Sequence, residues 1–285
     1  MKEMREWRPE GEYFQHVEAS YDRLAPRYDA DIGSNLIGRR MHAVFRRALQ
    51  EVLRPGQLVF EIGCGTGADA LWLARQGLDV VATDISGAMI EQLRVKAASE
   101  GLSQHIQTRR MAAHEIGRLG SEFGSDSFDG GFCHAGALNM EPEIARVPAQ
   151  IASITKPGGV FVCSFINRTS LFEILFYPLV LRPRKAFRRM GNVVPIPISR
   201  TEPMNRQVIP ARFYSPAEMI RLFGDGFSVE MVQGMEIFLP PSNLADIYAR
   251  FQLGFAGLEV LEEHLSRRAP ANEWGHHTVL VLRRR

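Results

Sequence analysis

The stretch Val59-Phe60-Glu61-Ile62-Gly63-Cys64-Gly65-Thr66-Gly67 runs an apolar strand straight into three alternating glycines. Helical spacing of apolar residues follows at once over 68–75. Such a pattern folds as a strand, a glycine turn and the first turn of a helix. Glycines there take positive φ and let a ligand approach the backbone beside the positive end of the helix. More than one ligand satisfies this signal, because Gly63, Gly65 and Ala68 also fit the dinucleotide spacing G-x-G-x-x-A. A plain strand-to-helix turn uses the same glycines.

The pattern around the motif restricts the fold. Further strands are predicted at 79–83, 106–111, 128–133 and 160–166, with helices at 88–100 and 143–154, the latter ended by Lys156-Pro157-Gly158-Gly159. Strands alternating with helices of this length indicate a mainly parallel, doubly wound α/β sheet. Residues 167–212 break that rhythm with six prolines, at 178, 183, 195, 197, 203 and 210, and cannot be a simple crossover helix. A Ser-Pro start then opens a helix at 215–223, strands follow at 227–232 and 278–282, and 244–265 is largely helical.

Two acids narrow the ligand. Glu61, two residues before the first glycine, would repel a pyrophosphate but attract a cation in a partly buried cleft. S-adenosylmethionine carries an ammonium and a sulfonium and no phosphate. Asp84 ends the second strand, where a carboxylate can accept both hydroxyls of a ribose. Its competing role as a helix cap falls to Ser86 instead.

Glu61-Ile-Gly-Cys-Gly-Thr-Gly67 followed by Asp84 resembles the class I S-adenosylmethionine-dependent methyltransferases of the small-molecule type, over about residues 20–165. The resemblance implies a Rossmann-like seven-stranded sheet, mainly parallel, with the last strand antiparallel beside the fifth and a lid insertion between strands five and six. It implies four regions: a helical cap (1–50), a cofactor-binding core (51–166), a lid (167–214) and a C-terminal remainder of the fold (215–285). In this reading Gly63, Gly65 and Gly67 pass under the methionine part of the cofactor and Glu61 supports its amino group. Asp84 holds the ribose, while Ile85 and Met89 pack on the adenine. Tyr21-Asp22-Arg23-Leu24-Ala25-Pro26-Arg27-Tyr28-Asp29 looks like the segment that closes over the cofactor, placing Tyr21 and Tyr28 there. The family's acid for the adenine amine is absent after the third strand, which leaves backbone at Ala112 and Ala113, or His114, to meet that ring.

Methyl transfer from a sulfonium is an in-line displacement with the leaving group built in, so positioning and water exclusion carry most of the catalysis. The resemblance implies that the end of the fourth strand faces the methyl. His134 is therefore the candidate base, with Asn139 as a candidate orienting group. A half-buried histidine bonded to backbone is the competing reading for His134. Cys133 reads as a packing residue whose carbonyl faces the cofactor amine.

Composition sets the remaining bounds. With 34 basic and 32 acidic side chains, a net charge of +2 does not point to nucleic acid, and no basic, aromatic-interleaved surface is evident. No asparagine-proline-proline-tyrosine pattern follows the fourth strand. Three widely spaced cysteines suggest neither disulfides nor a zinc cluster, and a reducing cytoplasm is the expected location. Residues 1–10 are charged throughout and lack a signal-peptide core. The run 171–181 is too short and interrupted to span a membrane. His276 and His277 are expected to face apart with no third ligand, and His16, His42, His105 and His264 to lack partners, so no metal site is expected.

The lid combines an aromatic-rich stretch at 171–177 with Arg182, Arg184, Lys185, Arg188 and Arg189, which reads as an apolar inner face with a cationic rim. A solvated helix face or a transient membrane-surface contact fits the same residues. The sequence thus points to methyl transfer onto oxygen or nitrogen of a fairly apolar small molecule. Two alternatives stay open: a lipid or quinone methyltransferase at a membrane surface, and a cofactor-binding protein without methyl transfer.

Overall fold

The computed structural model describes residues 10–33, 35–191, 193–197 and 208–285. The charged stretch at 1–9 and the lid residues 198–207, with Pro203, lie outside these. Helices α1 (Glu10–Leu24), α2 (Tyr28–Gly33) and α3 (Leu36–Val52) precede the glycine motif. The core then alternates β1 (Leu58–Ile62), α4 (Ala68–Arg75), β2 (Asp79–Asp84), α5 (Gly87–Ser99), β3 (Ile106–Arg110), α6 (Gly120–Phe123), β4 (Phe128–Cys133), α7 (Val147–Ile154) and β5 (Thr155–Ile166). The rest comprises α8 (Leu171–Leu179), α9 (Pro183–Ala186), β6 (Val194–Pro197), β7 (Val208–Ala211), α10 (Pro216–Phe223), β8 (Phe227–Met235), α11 (Ala245–Arg250), α12 (Gln252–Leu265) and β9 (His277–Arg284).

Seven strands form one sheet in the order β3-β2-β1-β4-β5-β9-β8. The first five are parallel, and β9 runs antiparallel between β5 and β8. The expected doubly wound, Rossmann-like sheet is therefore present, with the last strand beside the fifth. Period-two alternation sends successive β1 side chains to opposite faces. Val59 joins Leu49, Leu71 and Leu93 from the helices of one layer, and Phe60 joins Ile116, Ile151 and Phe223 from the other. The central strands are buried on both faces, as parallel sheets require. The outer strand β3 alternates between buried and exposed, which accounts for its weaker apolar signal.

Two boundaries differ from the sequence reading. The helix predicted from Glu143 begins with a tight turn at Ile144–Arg146, and regular α-helix starts only at Val147. Pro148 lacks an N–H and favours the first turn of a helix. The fifth strand starts at Thr155, which pairs with Phe128; the register then shifts so that Val160 faces Gly130. The Lys-Pro-Gly-Gly segment, with Gly158 at φ 78°, is thus a bulged entry to the strand. At α10 the Ser-Pro start is a full capping box: Ser215 Oγ accepts from the Glu218 N–H, and Glu218 Oε2 accepts from the Ser215 N–H at 2.7 Å.

The described part of 167–214 holds α8, α9 and the β6–β7 hairpin. The hairpin is tied to α1, where His16 Nε2 lies 3.0 Å from the Val208 carbonyl and the Tyr13 hydroxyl 2.9 Å from that of Pro210. Arg189 is not part of a cationic rim. It is 2 % exposed and donates to Glu173 Oε2 and to the Asn167 carbonyl, each at 2.7 Å. Glu173 is fully buried, and Arg188 reaches its other oxygen at 2.7 Å. Among the described residues no helix is long and apolar enough to cross a membrane. Removing one partner of a buried pair strands the other charge, so Glu173→Ala should lower stability by about 3–5 kcal/mol, read as a shift in the urea unfolding midpoint.

Candidate functional site

The strand order reverses between β1 and β4, and the sheet opens there at the carboxyl ends of the strands, where ligands bind in folds of this topology. An open cleft of about 760 Å³, counting the solvent at its mouth, lies at this point. Its floor includes Ile62, Gly63 and Gly65 from the glycine loop. Gly63 has φ 69°, and a Cβ there would fall 2.6 Å from that of Ala137, so the loop and the segment after β4 approach too closely for any side chain.

The two motif acids differ in their surroundings. Asp84 lines the cleft, with Oδ2 accepting from the Gly65 N–H at 2.8 Å and Oδ1 from the Ser86 N–H at 2.9 Å. The carboxylate is held in one orientation and keeps lone pairs free for hydroxyls. Ser86 caps α5 through the Met89 N–H at 3.1 Å, as the sequence suggested. Glu61 lies beneath the loop, 2 % exposed, and its Oε2 has no hydrogen-bond partner. Burial, then the carboxylates of Asp69 and Asp84, push its pKa well above the usual carboxylate range. A buried acceptor without a donor costs about 1–3 kcal/mol, a cost that a donor placed beside Glu61 would relieve.

The N-terminal helices form one wall. Phe14, Val17 and Tyr21 of α1 and Tyr28 of α2 line the cleft. Tyr28 lies over the loop, 3.5 Å from where a Gly65 Cβ would stand. Asp22 fixes α1 by accepting from Ser86 Oγ at 2.6 Å and from the Ala88 N–H at 3.0 Å. Ile85, Met111, Ala112 and Ala113 form the opposite end. There Glu141, which the sequence reading missed, lines the cleft and lies 3.2 Å from His114 Nδ1 and from the His114 N–H.

His134 lines the cleft at the end of β4, and a network unseen in the sequence orients it. Its Nδ1 lies 2.6 Å from Asp69 Oδ2, and its ring stacks on Phe45 at 4.0 Å and 6°. Asp69 is 3 % exposed in the first turn of α4 and also meets His42 Nδ1 at 3.2 Å and Arg46 Nε at 2.7 Å, both from α3. Burial opposes ionisation of Asp69, but His134 and His42 outweigh it and hold the carboxyl well below its usual range. Burial lowers the His134 pKa, partly offset by Asp69. The pair is therefore a carboxylate accepting from a neutral imidazole. That leaves His134 Nε2, which is buried and without a hydrogen-bond partner, as a free base.

Other expected residues stand apart from the cleft. Met89 is fully buried against Leu24 and Ala25 and does not line it, so α5 turns this side chain toward the helical cap. Gly67 begins α4 at φ 85° and packs on Leu93. Cys133 is fully buried, its thiol pushed up to about 12 by burial, which suits packing and not nucleophilic attack. Asn139 is no orienting group: its amide donates to the Ile166 and Arg212 carbonyls and accepts from the Ile166 N–H, tying β5 to the segment beyond β7. The histidines expected to be alone have partners: His42 has Asp69, His105 has Asp79, and His16 and His264 have backbone carbonyls. His276 and His277 do not face apart. Only His277 belongs to β9, so strand alternation does not separate them, and their Nδ1 atoms lie 2.9 Å apart beside Glu236.

Residues 59–159 match the family described as methyltransferase domain. Over these residues the chain carries a methyltransferase domain. It is 30 % identical over 148 residues to a demethylmenaquinone methyltransferase of Beutenbergia cavernae, covering 51 % of this chain and 56 % of that protein. It is 33 % identical over 131 residues to a ubiquinone biosynthesis O-methyltransferase of Hahella chejuensis, covering 45 % and 52 %. The chain thus spans about half the length of these curated relatives. Among solved structures, a 4+2 cyclase superposes over 95 % of this chain and 96 % of that one, with a TM-score of 0.63 and 17 % identity. The 1,6-didemethyltoxoflavin N1-methyltransferase of Burkholderia thailandensis covers 98 % and 92 %, at 0.57 and 15 %. At these identities the likeness is one of fold.

The Asp69 carboxylate stabilises the imidazolium, so its removal should lower the His134 pKa further. Proton NMR of the imidazole is expected to place the His134 midpoint below about 6.5, and lower again in Asp69→Asn.

Proposed function

We propose that the protein transfers the methyl group of S-adenosylmethionine to oxygen or nitrogen of a fairly apolar small molecule. The observation that carries this reading is the unpartnered, buried carboxyl of Glu61 under the glycine loop. An ammonium seated beside it would favour its ionised form and pair with it, whereas a phosphate would disfavour ionisation, which separates this cofactor from a dinucleotide. Bound there, the cofactor supplies a methyl on a sulfonium, already activated for in-line displacement.

In this reading Glu61 supports the amino group and Asp84 the ribose hydroxyls, while Ile85, Ala112 and Ala113 wall the base. Tyr21 and Tyr28 cover the cofactor and exclude water. His134 Nε2 takes the proton of a hydroxyl acceptor, and Asp69, fixed by Arg46, stabilises the resulting imidazolium. Residues 167–214 act as the acceptor-side cap. The three free cysteines are all buried thiols, which suits the reducing cytoplasm.

A second reading has a specific observation behind it. Leu175, Leu179, Leu181 and Met190 are 60, 81, 90 and 68 % exposed around Arg182, Arg184 and Lys185. Apolar side chains beside basic ones suit an anionic lipid surface, and a quinone acceptor would be reached from there. Co-sedimentation with anionic vesicles that is lost in Leu179→Asp/Leu181→Asp would support it; equal pelleting of wild type and variant would remove it.

Calorimetry with S-adenosylmethionine tests the cofactor assignment. Asp84→Ala and Glu61→Ala are each expected to weaken binding by about 1.5–3 kcal/mol, and tight NAD binding with no response to the methyl donor would overturn it. An acceptor screen with methyl-labelled cofactor, read by mass spectrometry, tests transfer itself. On the acceptor so found, His134→Ala should lower turnover about 10²–10⁴-fold while cofactor affinity stays nearly unchanged.

A further inference from the structure

At the end of β8 and the start of β9, three side chains converge outside the cleft just described. Nδ1 of His276 and Nδ1 of His277 are 2.9 Å apart, and each lies 3.3 Å from the same oxygen, Oε2 of Glu236. Their side chains are 8, 7 and 3 % exposed. Two imidazole nitrogens and a carboxylate oxygen bonded to one metal at about 2.0–2.1 Å stand about 2.8–3.4 Å from one another, in tetrahedral or facial octahedral geometry. All three separations fall in that window.

With Glu236 as a carboxylate, hydrogen bonding alone does not satisfy this triangle. With both Nδ1 atoms protonated, two N–H groups collide at 2.9 Å. With one protonated, the bare nitrogen of the other ring faces a carboxylate oxygen at 3.3 Å, lone pair against lone pair. The second carboxylate oxygen, Glu236 Oε1, is buried and has no hydrogen-bond partner. A cation shared by the two Nδ1 atoms and Oε2 removes the conflicts within the triangle.

The surrounding backbone is built to hold the triangle. Glu236 sits at φ 57°, outside the preferred region for a residue with a side chain. Its loop is pinned by Glu262, which accepts from the N–H groups of Glu236, Ile237 and Phe238 at 2.7, 3.1 and 3.2 Å. A Cβ on Gly275 would fall 2.6 Å from Met235 N and O, so only glycine lets the chain before His276 pass this close to β8. The Asn167 N–H donates to the His276 carbonyl at 2.9 Å, joining the loop to the end of β5. Glu173 Oε1 lies 3.8 Å from His276 Nε2, the ring nitrogen opposite the triangle, where metal-bound histidines face a carboxylate.

We propose that Glu236, His276 and His277 bind a divalent first-row transition metal. Two imidazoles and one carboxylate suit zinc or ferrous iron and leave coordination positions open. The site is independent of the cofactor and acceptor assignments.

The test uses the full chain after chelator treatment, titrated with Co²⁺ alone and followed by its visible d–d absorption. One equivalent of Co²⁺ is expected to bind with imidazole-type bands, and Zn²⁺ to displace it. Glu236→Gln and His277→Ala should each weaken binding more than about tenfold, with far-UV circular dichroism matching that of metal-free wild type. His42→Ala should leave the bands intact, which separates this site from the His42–Asp69–His134 group. Absence of bands in the wild type, bands unchanged in both Glu236→Gln and His277→Ala, or bands lost in His42→Ala would each overturn the proposal.

Discussion

The mutual repulsion of carboxylates at the mouth of the sheet is the constraint around which the site is arranged. Glu61 stands one residue before the end of β1, Asp84 ends the adjacent parallel strand β2, and Asp69 lies in the first turn of the helix that follows β1. Asp69 and Asp84 both act to disfavour charge on Glu61. The fold disposes of the three in different ways. Asp69 is neutralised by Arg46 and held by His42 and His134. Asp84 is held by the backbone N–H groups of Gly65 and Ser86. Of the three, Glu61 alone is left with an unpartnered oxygen.

The N-terminal helices follow from the same electrostatics. α3 supplies His42, Phe45 and Arg46, so it sets both the charge of Asp69 and the plane of His134. At α2, Asp29 accepts from Thr66 Oγ1 at 2.5 Å and pairs with Lys96, locking Tyr28 over the glycine loop. α1 is anchored through Asp22 to the start of α5 and through Tyr13 to Met140. The N-terminal helices, which include the segment that the resemblance places over the cofactor, are therefore one wall of the cleft.

Legibility followed the range of the interactions. The glycine loop, Glu61, Asp84 and the Ser86 and Ser215 caps could be read directly, because each depends on residues within a few positions of itself. Asp69 was missed because an acid in the first turn of a helix already has a local explanation in the helix dipole. Its partners lie 23, 27 and 65 residues away. Arg189 is read as part of a cationic rim for the same reason, since a basic residue in a charge run looks solvated until the chain folds over it, and Asn139, read as an orienting group, is taken up by backbone partners 27 and 73 residues away. Met89, which the resemblance places against the adenine, packs on Leu24 and Ala25, contacts that no local pattern specifies.

The sequence by itself determined the sheet class, the strand-to-helix glycine turn and the two acids beside it, since backbone sterics and period-two and period-3.6 burial are local properties. Only the tertiary structure decided which lone pairs remain unpaired. Glu61 Oε2 and His134 Nε2 are unpaired because Arg46, His42 and the backbone donors are used elsewhere. His276, His277 and Glu236 meet because β8 and β9 pair antiparallel across 41 intervening residues. Hydrogen-bond satisfaction is a property of the whole packed chain, and no local pattern encodes it.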